Sequence, residues 1–368
     1  MKICILSMQD VENYGSLLQA YSLKQMLEEF GHSIQFLHIQ TNSAENELVG
    51  HAEEFVEDHD YLGLFSKIKK VDKYFFNRIR NKLATHKQFL FLDDFRNKHL
   101  PSDNGEKYDL CVIGSDEVFN CMLKSKWGFT SQLFGNVKEA NEVITYAASC
   151  GSTLVGNVPE KMKIVIRKSF ERISAFSVRD ENTESFVREL SINQNIHINM
   201  DPVVVADFDS LIDQEELPVN FPKRCMIVYS YPNRFHDETE IELIKQFAIS
   251  NGLEIVSLGG YQMWIDKPYA LTPFQLLNAF KYAEFVITDT FHGTIFAAKY
   301  SKAYGVLTRP SNYNKLSDLV NRLGIQDHLM NSIDEIDSKY LMPKTDISEI
   351  IRVEREKTLD YLRQYCKE

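Results

Sequence analysis

Short apolar runs rich in Ile and Val alternate along the chain with amphipathic stretches, a pattern that predicts parallel sheets joined by crossover helices. In the first half, strands are expected at 2–7, 33–39, 109–114, 142–147, 173–178 and 196–200, and helices at 16–30, 159–170 and 182–190. The alternation breaks at 207–223, where Asp207-Phe-Asp, Asp213-Gln-Glu-Glu, Pro218 and Pro222 interrupt it. It then restarts with strands at 225–230, 254–258, 285–288 and 303–307. Helices at 237–250, 273–282, 293–300 and 316–323 follow them, and a last amphipathic helix covers about 346–365. The expected fold class is therefore α/β with two Rossmann-like domains. The N-terminal domain spans 1–206, with a helical insertion at about 41–101. A linker spans 207–223, the C-terminal domain 224–345 and a closing helix 346–368.

Open parallel sheets bind ligands beyond the carboxyl ends of their strands. The polar motifs fall there: Asn13 to Gly15, Ser115 and Asp116, Ser149 to Gly151, Arg179, Gly259-Gly260 and His292 each follow their own strand. A cleft between two domains explains that placement most simply. Its most informative stretch runs from Val286 to Lys299, an apolar strand turning into a helix at His292. The amides of Gly293, Thr294 and Ile295 are expected to lack partners at the helix start, so that they and the helix dipole hold an anion beside a titratable imidazole. The alternative is that His292 only closes the turn.

Five segments, in order, carry a family likeness: Asn13-Tyr-Gly-Ser-Leu-Leu-Gln-Ala-Tyr21, Gly114-Ser-Asp-Glu-Val-Phe-Asn120, Tyr146-Ala-Ala-Ser-Cys-Gly151, Ser177-Val-Arg-Asp-Glu181 and Thr288-Asp-Thr-Phe-His-Gly-Thr294. Together they resemble the polysaccharide pyruvyl transferase family over nearly the whole chain. The resemblance implies a fold similar to GT-B glycosyltransferases. It also implies phosphoenolpyruvate as donor and a pyruvate ketal on a sugar as product, in the making of bacterial capsule, exopolysaccharide or another cell-surface glycan. Phe119 stands where Trp is common in the family and Cys150 where an aromatic is common, which predicts a reshaped acceptor pocket.

That chemistry needs an acid, a base, and cations for carboxylate and phosphate. Arg179 resembles the family's donor-contacting arginine, and its planar fork suits two-point binding of a carboxylate. Its other reading is a structural pair with Asp180 or Glu181. His292, with Gly293 and Thr294, is assigned to the donor side. Lys315 matches a basic position that the family often shows after the histidine helix, against the reading of a solvated loop lysine. Asp116 is either the base for the attacking hydroxyl or, with Ser115, a helix cap. Asn13, Tyr14, Ser115, Asp116 and Ser149 are the expected acceptor-binding residues, with a purely structural turn as the alternative at Asn13 and Tyr14. Asp201-Pro202 matches the family and reads as a strand-end turn.

Composition narrows the field further. At 368 residues, 44% of them hydrophobic, the chain is long enough for two cored domains. Six cysteines without regular spacing, three of them in apolar runs, predict reduced core thiols. The apolar start is too short for a signal peptide, and no stretch approaches a membrane span, so a cytoplasmic enzyme is expected. A formal charge of −11 excludes general nucleic-acid binding. Between Lys67 and Lys98, however, ten Lys or Arg face three Asp, a local +7 that leaves −18 elsewhere. Ile68, Val71, Phe75, Ile79 and Leu83 recur at helical spacing, which predicts an apolar face packed inward and the basic residues opposite. Those residues form either a solvated face or a contact with anionic lipid at the inner membrane surface and with a lipid-diphosphate-linked oligosaccharide acceptor. Phosphate loops, dinucleotide fingerprints and metalloprotease or nucleophile-elbow motifs are absent, and scattered histidines predict neither cofactor nor metal. Two other readings are a nucleotide-sugar glycosyltransferase using Asp266 or Glu254 for the ribose, and an inactive partner in glycan assembly.

Overall fold

The computed structural model describes residues 1–42, 45, 71–122, 125–309 and 312–366, and for 71–76, 314 and 315 the backbone alone. Among them two parallel sheets carry the chain. The first consists of β1 (Lys2–Leu6), β2 (Ser33–Phe36), β3 (Tyr108–Asp116), β4 (Ala140–Ala148), β5 (Ile173–Val178) and β6 (Ile196–Ile198), ordered β2-β1-β3-β4-β5-β6. The second consists of β7 (Cys225–Ser230), β8 (Glu254–Gly259), β9 (Phe285–Thr288), β10 (Tyr304–Leu307) and β11 (Leu329–Met330), ordered β11-β10-β9-β7-β8. Every residue of β7, β9 and β10 is buried, as a strand covered by helices on both faces requires. The architecture is α/β, with two Rossmann-like sheets.

Each sheet reverses its winding once. In the first the chain goes from β1 out to β2 and returns across β1 to β3, and in the second it goes from β7 to β8 and returns to β9. Crevices open at such switch points, beyond the strand ends. Helix α1 (Tyr14–Glu28) leaves the first switch point. Its residues are buried almost all round, because it lies between the sheets.

Helix α2 (Val71–His99) is the described part of the insertion. Its face differs from the expected one: Ile79 and Leu83 are 41% and 65% exposed, whereas Asn77, Asn81, Gln88, Leu92 and Phe95 point inward. Ile68 lies outside the described residues, as do the side chains of Val71 and Phe75. The reason is tertiary. The C-terminal part of α2 packs Phe95 against Tyr21, while its N-terminal part crosses to the second domain. There Asn77 Nδ2 donates to the Met263 carbonyl and to Asp266, both at 3.0 Å, and Tyr261 donates to Gln88 at 2.9 Å. The amides of Asn77 and Gln88, hydrogen-bonded at that crossing, outrank apolar residues that have nothing to pack on.

Between β4 and β6 come α3 (Glu160–Phe170) and α4 (Glu181–Leu190). After β6 the chain forms the short α5 (Pro202–Val205) and α6 (Asp209–Ile212), with Phe208, Ile212 and Phe221 buried, so the connection between sheets is itself packed. The second sheet is wrapped by α7 (Glu238–Asn251), α8 (Pro273–Tyr282), α9 (Phe291–Tyr300), α10 (Tyr313–Leu323) and α11 (Ile336–Tyr340). Finally α12 (Ser348–Tyr365) returns to the first sheet, where Tyr361 donates to the Thr145 carbonyl at 2.7 Å. One apolar cluster, including Leu17, Val203, Phe274, Ile295 and Leu362, runs continuously through both halves. Among the described residues no helix is long and apolar enough to cross a membrane.

The orientation of α2 has a measurable consequence. Leu92→Ala should lower stability by about 2–5 kcal/mol in urea unfolding, as deleting a buried Leu does. Leu83→Glu should stay within about 0.5 kcal/mol of the parent. The opposite ranking would restore the face predicted from periodicity.

Candidate active site

Five strand ends deliver one cluster. After β1, Asn13 caps α1: its Oδ1 accepts from the amides of Gly15 at 2.7 Å and Ser16 at 3.4 Å. That cap sets Gly15 against the second domain, where a Cβ on it would stand 2.2 Å from Cγ and Nδ1 of His292. Glycine is there because the imidazole of the other domain occupies its side-chain space. Ser16 Oγ then donates to Asp116 Oδ2 at 2.8 Å. Asp116 ends β3 with a left-handed φ of 74°, which Asp tolerates better than most residues, and no helix follows it. The cap reading therefore falls away.

Arg179 follows β5 and is 4% exposed. Its Nη1 donates to Asp201 Oδ2 at 3.1 Å and lies 3.7 Å from Asp116 Oδ1, and its guanidinium stacks 4.1 Å above the ring of Phe291. Burial opposes its charge, but Asp201, Asp116, Asp180 and Glu117 outweigh that and raise its pKa. Asp201, after β6, caps α5 by accepting from the Val203 amide at 3.0 Å. Its other oxygen accepts from Ser115 Oγ at 3.2 Å and faces His292 Nε2 at 3.5 Å. Burial alone would push this carboxyl up, yet His292, Arg179 and the Val203 amide hold it down at about 2. Asp201 was expected to be only a strand-end turn. The structure places it at the centre of the cluster.

Two donors here are buried without a hydrogen-bond partner, Arg179 Nε and His292 Nε2. The 3.5 Å from His292 to Asp201 is an ion-pair distance and too long for a well-formed hydrogen bond. Unsatisfied buried donors are costly in a folded protein, by about 1–3 kcal/mol each.

Other predicted residues are engaged elsewhere. The Tyr14 hydroxyl is buried and donates to the Leu271 carbonyl at 2.7 Å. Ser149 Oγ donates to Asp180 at 2.8 Å, and Ser115 serves Asp201. The expected amide nest is also altered: Thr290 Oγ1 accepts from the Gly293 amide at 3.0 Å, the Thr294 amide donates to the Thr290 carbonyl at 3.0 Å, and Thr294 is buried. Phe291 and His292 are left as the first helical amides of α9. Lys315 lies in α10, and its side chain falls outside the described residues. Phe119 and Cys150 are both fully buried. Phe119 stacks on Phe134 at 5.3 Å in the core of the first domain, and Cys150 is fully buried there, so the two departures from the family pattern are core exchanges.

Beside this cluster, the second domain ties its own switch point together. Asp289 accepts from Ser230 Oγ at 2.5 Å and from Arg309 Nε at 3.1 Å, and Arg234 Nε lies 3.3 Å away. Among the described residues no group of three or more His, Cys, Asp or Glu is placed to hold a metal ion. All six cysteines are unpaired and buried.

Fold and site together define an α/β protein with two parallel sheets and a buried arginine–histidine–aspartate cluster between them. The family model for polysaccharide pyruvyl transferase matches residues 13–303, and the chain belongs to that family. No curated protein matches it in sequence. Among solved structures, it is similar to UDP-GlcNAc 2-epimerase from Methanocaldococcus jannaschii, 12% identical with a TM-score of 0.48 over 97% of this chain and 99% of that one. It is also similar to UDP-N-acetylglucosamine 2-epimerase from Rickettsia bellii, at 11% identity and 0.46 over 98% and 97%. A third is the glycosyltransferase SsfS6 from Streptomyces sp. SF2575, at 9% and 0.42 over 98% and 96%.

The contact at Gly15 is directly testable. Gly15→Ala forces the His292 ring to move, because backbone and ring cannot both keep their places at 2.2 Å. Turnover should fall on the order of 100-fold, the cost of misplacing a reacting group by about 1 Å. Steady-state kinetics with a thermal melt will show it, and full activity would mean that the ring is free to shift.

Proposed function

We propose that the protein transfers pyruvate from phosphoenolpyruvate to two hydroxyls of one hexose in a bacterial cell-surface polysaccharide or its lipid-linked precursor, forming a ketal. The observation that carries this reading is the buried Arg179, its Nε unpartnered, beside a histidine held against an ionised Asp201. A small, doubly anionic donor suits that pair. Arg179 clamps the donor carboxylate, and the first amides of α9 face the phosphate.

In the reaction, His292 gives a proton to the donor's methylene carbon, making the methyl group, while Asp116 takes the proton of the first sugar hydroxyl as its oxygen bonds to C2. The phosphate then leaves with the proton that Asp116 holds. The second hydroxyl adds to C2, and its proton returns to His292. Both sugar protons are thus accounted for, one on the methyl and one on phosphate, and the enzyme is regenerated. Asp116 is suited to this role by its partial exposure, 14%, beside the fully buried Asp201. Asp201 is the fixed counter-charge that His292 and Arg179 share.

The nucleotide-sugar reading has less support, because its candidate carboxylates are engaged elsewhere: Asp266 by Asn77 and Arg80, Glu254 by Lys267. For the lipid-linked acceptor, the exposed side of α2 offers Ile79, Leu83 and Leu90 among Arg78, Lys82 and Lys87, a mixture suited to an anionic bilayer. Leu83→Glu should therefore weaken flotation with phosphatidylglycerol vesicles at low salt; equal flotation by both proteins would leave α2 a solvated surface.

Donor identity is decided by a thermal-shift panel of phosphoenolpyruvate, UDP, GDP and a CMP-sugar. A ligand at 100 times its dissociation constant stabilises by about 2.7 kcal/mol, and phosphoenolpyruvate alone should shift the parent. Arg179→Lys should lose that shift, since one ammonium cannot replace a two-point fork. Asp116→Asn should keep it while losing turnover. A shift with nucleotides and none with phosphoenolpyruvate would overturn the reading.

A further inference from the structure

The carboxylate that organises the cluster sits on a very small element. Asp201 caps α5, which has four residues and cannot hold its own orientation by internal hydrogen bonds. Its C-terminal carbonyls are instead held from outside by cations. Lys299 Nζ donates to the carbonyls of Val203 at 2.9 Å and Ala206 at 2.5 Å, and Arg355 Nη1 donates to that of Val205 at 3.0 Å. Cations complete a helix C-terminus both by hydrogen bonding and through its dipole.

Lys299 is the telling member, because it belongs to α9, the helix that carries His292. The two residues are seven positions apart, about two turns, and so project from the same face. Helix α9 therefore grips the Asp201–Ala206 turn at both ends, with His292 at the capping carboxylate and Lys299 at the terminal carbonyls. We propose that Lys299 is a positioning residue: its ammonium seats α5 so that Asp201 stays against His292 and Arg179, and docking of the domains and assembly of the reacting cluster become one event.

The surroundings fit a cation chosen for its place. Lys299 Nζ lies 5.6 Å from the ring of Phe208 and 5.5 Å from that of Tyr300. Burial pulls its pKa down to about 7, against the pull of Asp207, Asp209 and Asp201 and in company with Arg355. Lys344, which donates to the Lys299 carbonyl at 2.6 Å, is the further charged group at its backbone.

The inference rests on reading Arg179, Asp201 and His292 as the reacting cluster, so its test includes a measurement that needs no substrate. In protein with 13C-labelled histidine, the His292 ring resonance, assigned with His292→Asn, is compared by NMR at one fixed pH in the parent, Lys299→Met and Lys299→Arg. Loss of the seat withdraws Asp201 from the imidazole, so the resonance should leave its parent position in Lys299→Met. Lys299→Arg, which keeps a cation and its donors, should restore it. With phosphoenolpyruvate, Lys299→Met assayed well below its melting temperature should lose on the order of tenfold in kcat, and Lys299→Arg should recover most of it. An unchanged His292 resonance in folded Lys299→Met overturns the proposal. Should that variant fail to fold, Lys299→Gln, which keeps a donor without the charge, is read the same way, and a parent-like His292 resonance with parent-like kcat there overturns it equally. A parent without phosphoenolpyruvate turnover sinks the proposed function and leaves the NMR result standing.

Discussion

A single buried carboxylate, shared between two domains, is the constraint on which the rest depends. Asp201 has no exposure, and within about 3.5 Å it meets a serine from β3, an arginine that follows β5 and a histidine from α9 of the other half. An ionised group in such a place is tolerable only when paired and hydrogen-bonded, and removing one partner of a buried pair typically costs about 3–5 kcal/mol. The domains cannot separate without uncovering it. Closure of the two halves and charge compensation are therefore the same requirement.

Packing around that carboxylate follows a consistent pattern. The loop ends of the first domain present backbone carbonyls, and the second half of the chain answers with long cations: Arg322 to Arg179, Lys299 to Val203 and Ala206, Arg355 to Val205. Guanidinium and ammonium groups on long stems can reach carbonyls that no neighbouring strand can pair. This is how short elements such as α5 keep a fixed orientation, and why the last helix returns to the first domain after the second is complete. The arrangement leaves Arg179 Nε and His292 Nε2 without a hydrogen-bond partner.

Much of the architecture was legible from the chain. Continuous apolar runs such as Cys225–Ser230 and Phe285–Thr288 can be covered only by helices on both faces, and the turn residues after them had to lie at the strand ends. Arg179, Asp116 and His292 stood out because strand-end polar residues following apolar strands are readable from pattern. Less legible were α5, α6, α11 and β11, two to five residues long, whose existence rests on contacts made elsewhere in the chain. The burial of Phe119, Cys150 and Tyr14 likewise depends on neighbours distant in sequence, and so their assignment to an acceptor pocket did not survive.

Local periodicity, strand-end chemistry and residue size are properties of the sequence itself. They determined two parallel α/β sheets, the polar residues at their carboxyl ends, and a glycine at position 15 where a turn enters a helix. Tertiary structure decided which of those residues meet. It turned α2 so that Asn77, satisfied by Met263 and Asp266, faced inward in place of Ile79 and Leu83. It also brought Asp201 from an ordinary Asp-Pro turn to the middle of the cluster. Periodicity records the preference of a helix for an apolar neighbour, but not where that neighbour lies. A buried charge is settled by partners about 22 and 91 positions away along the chain, a distance over which only the folded geometry carries information.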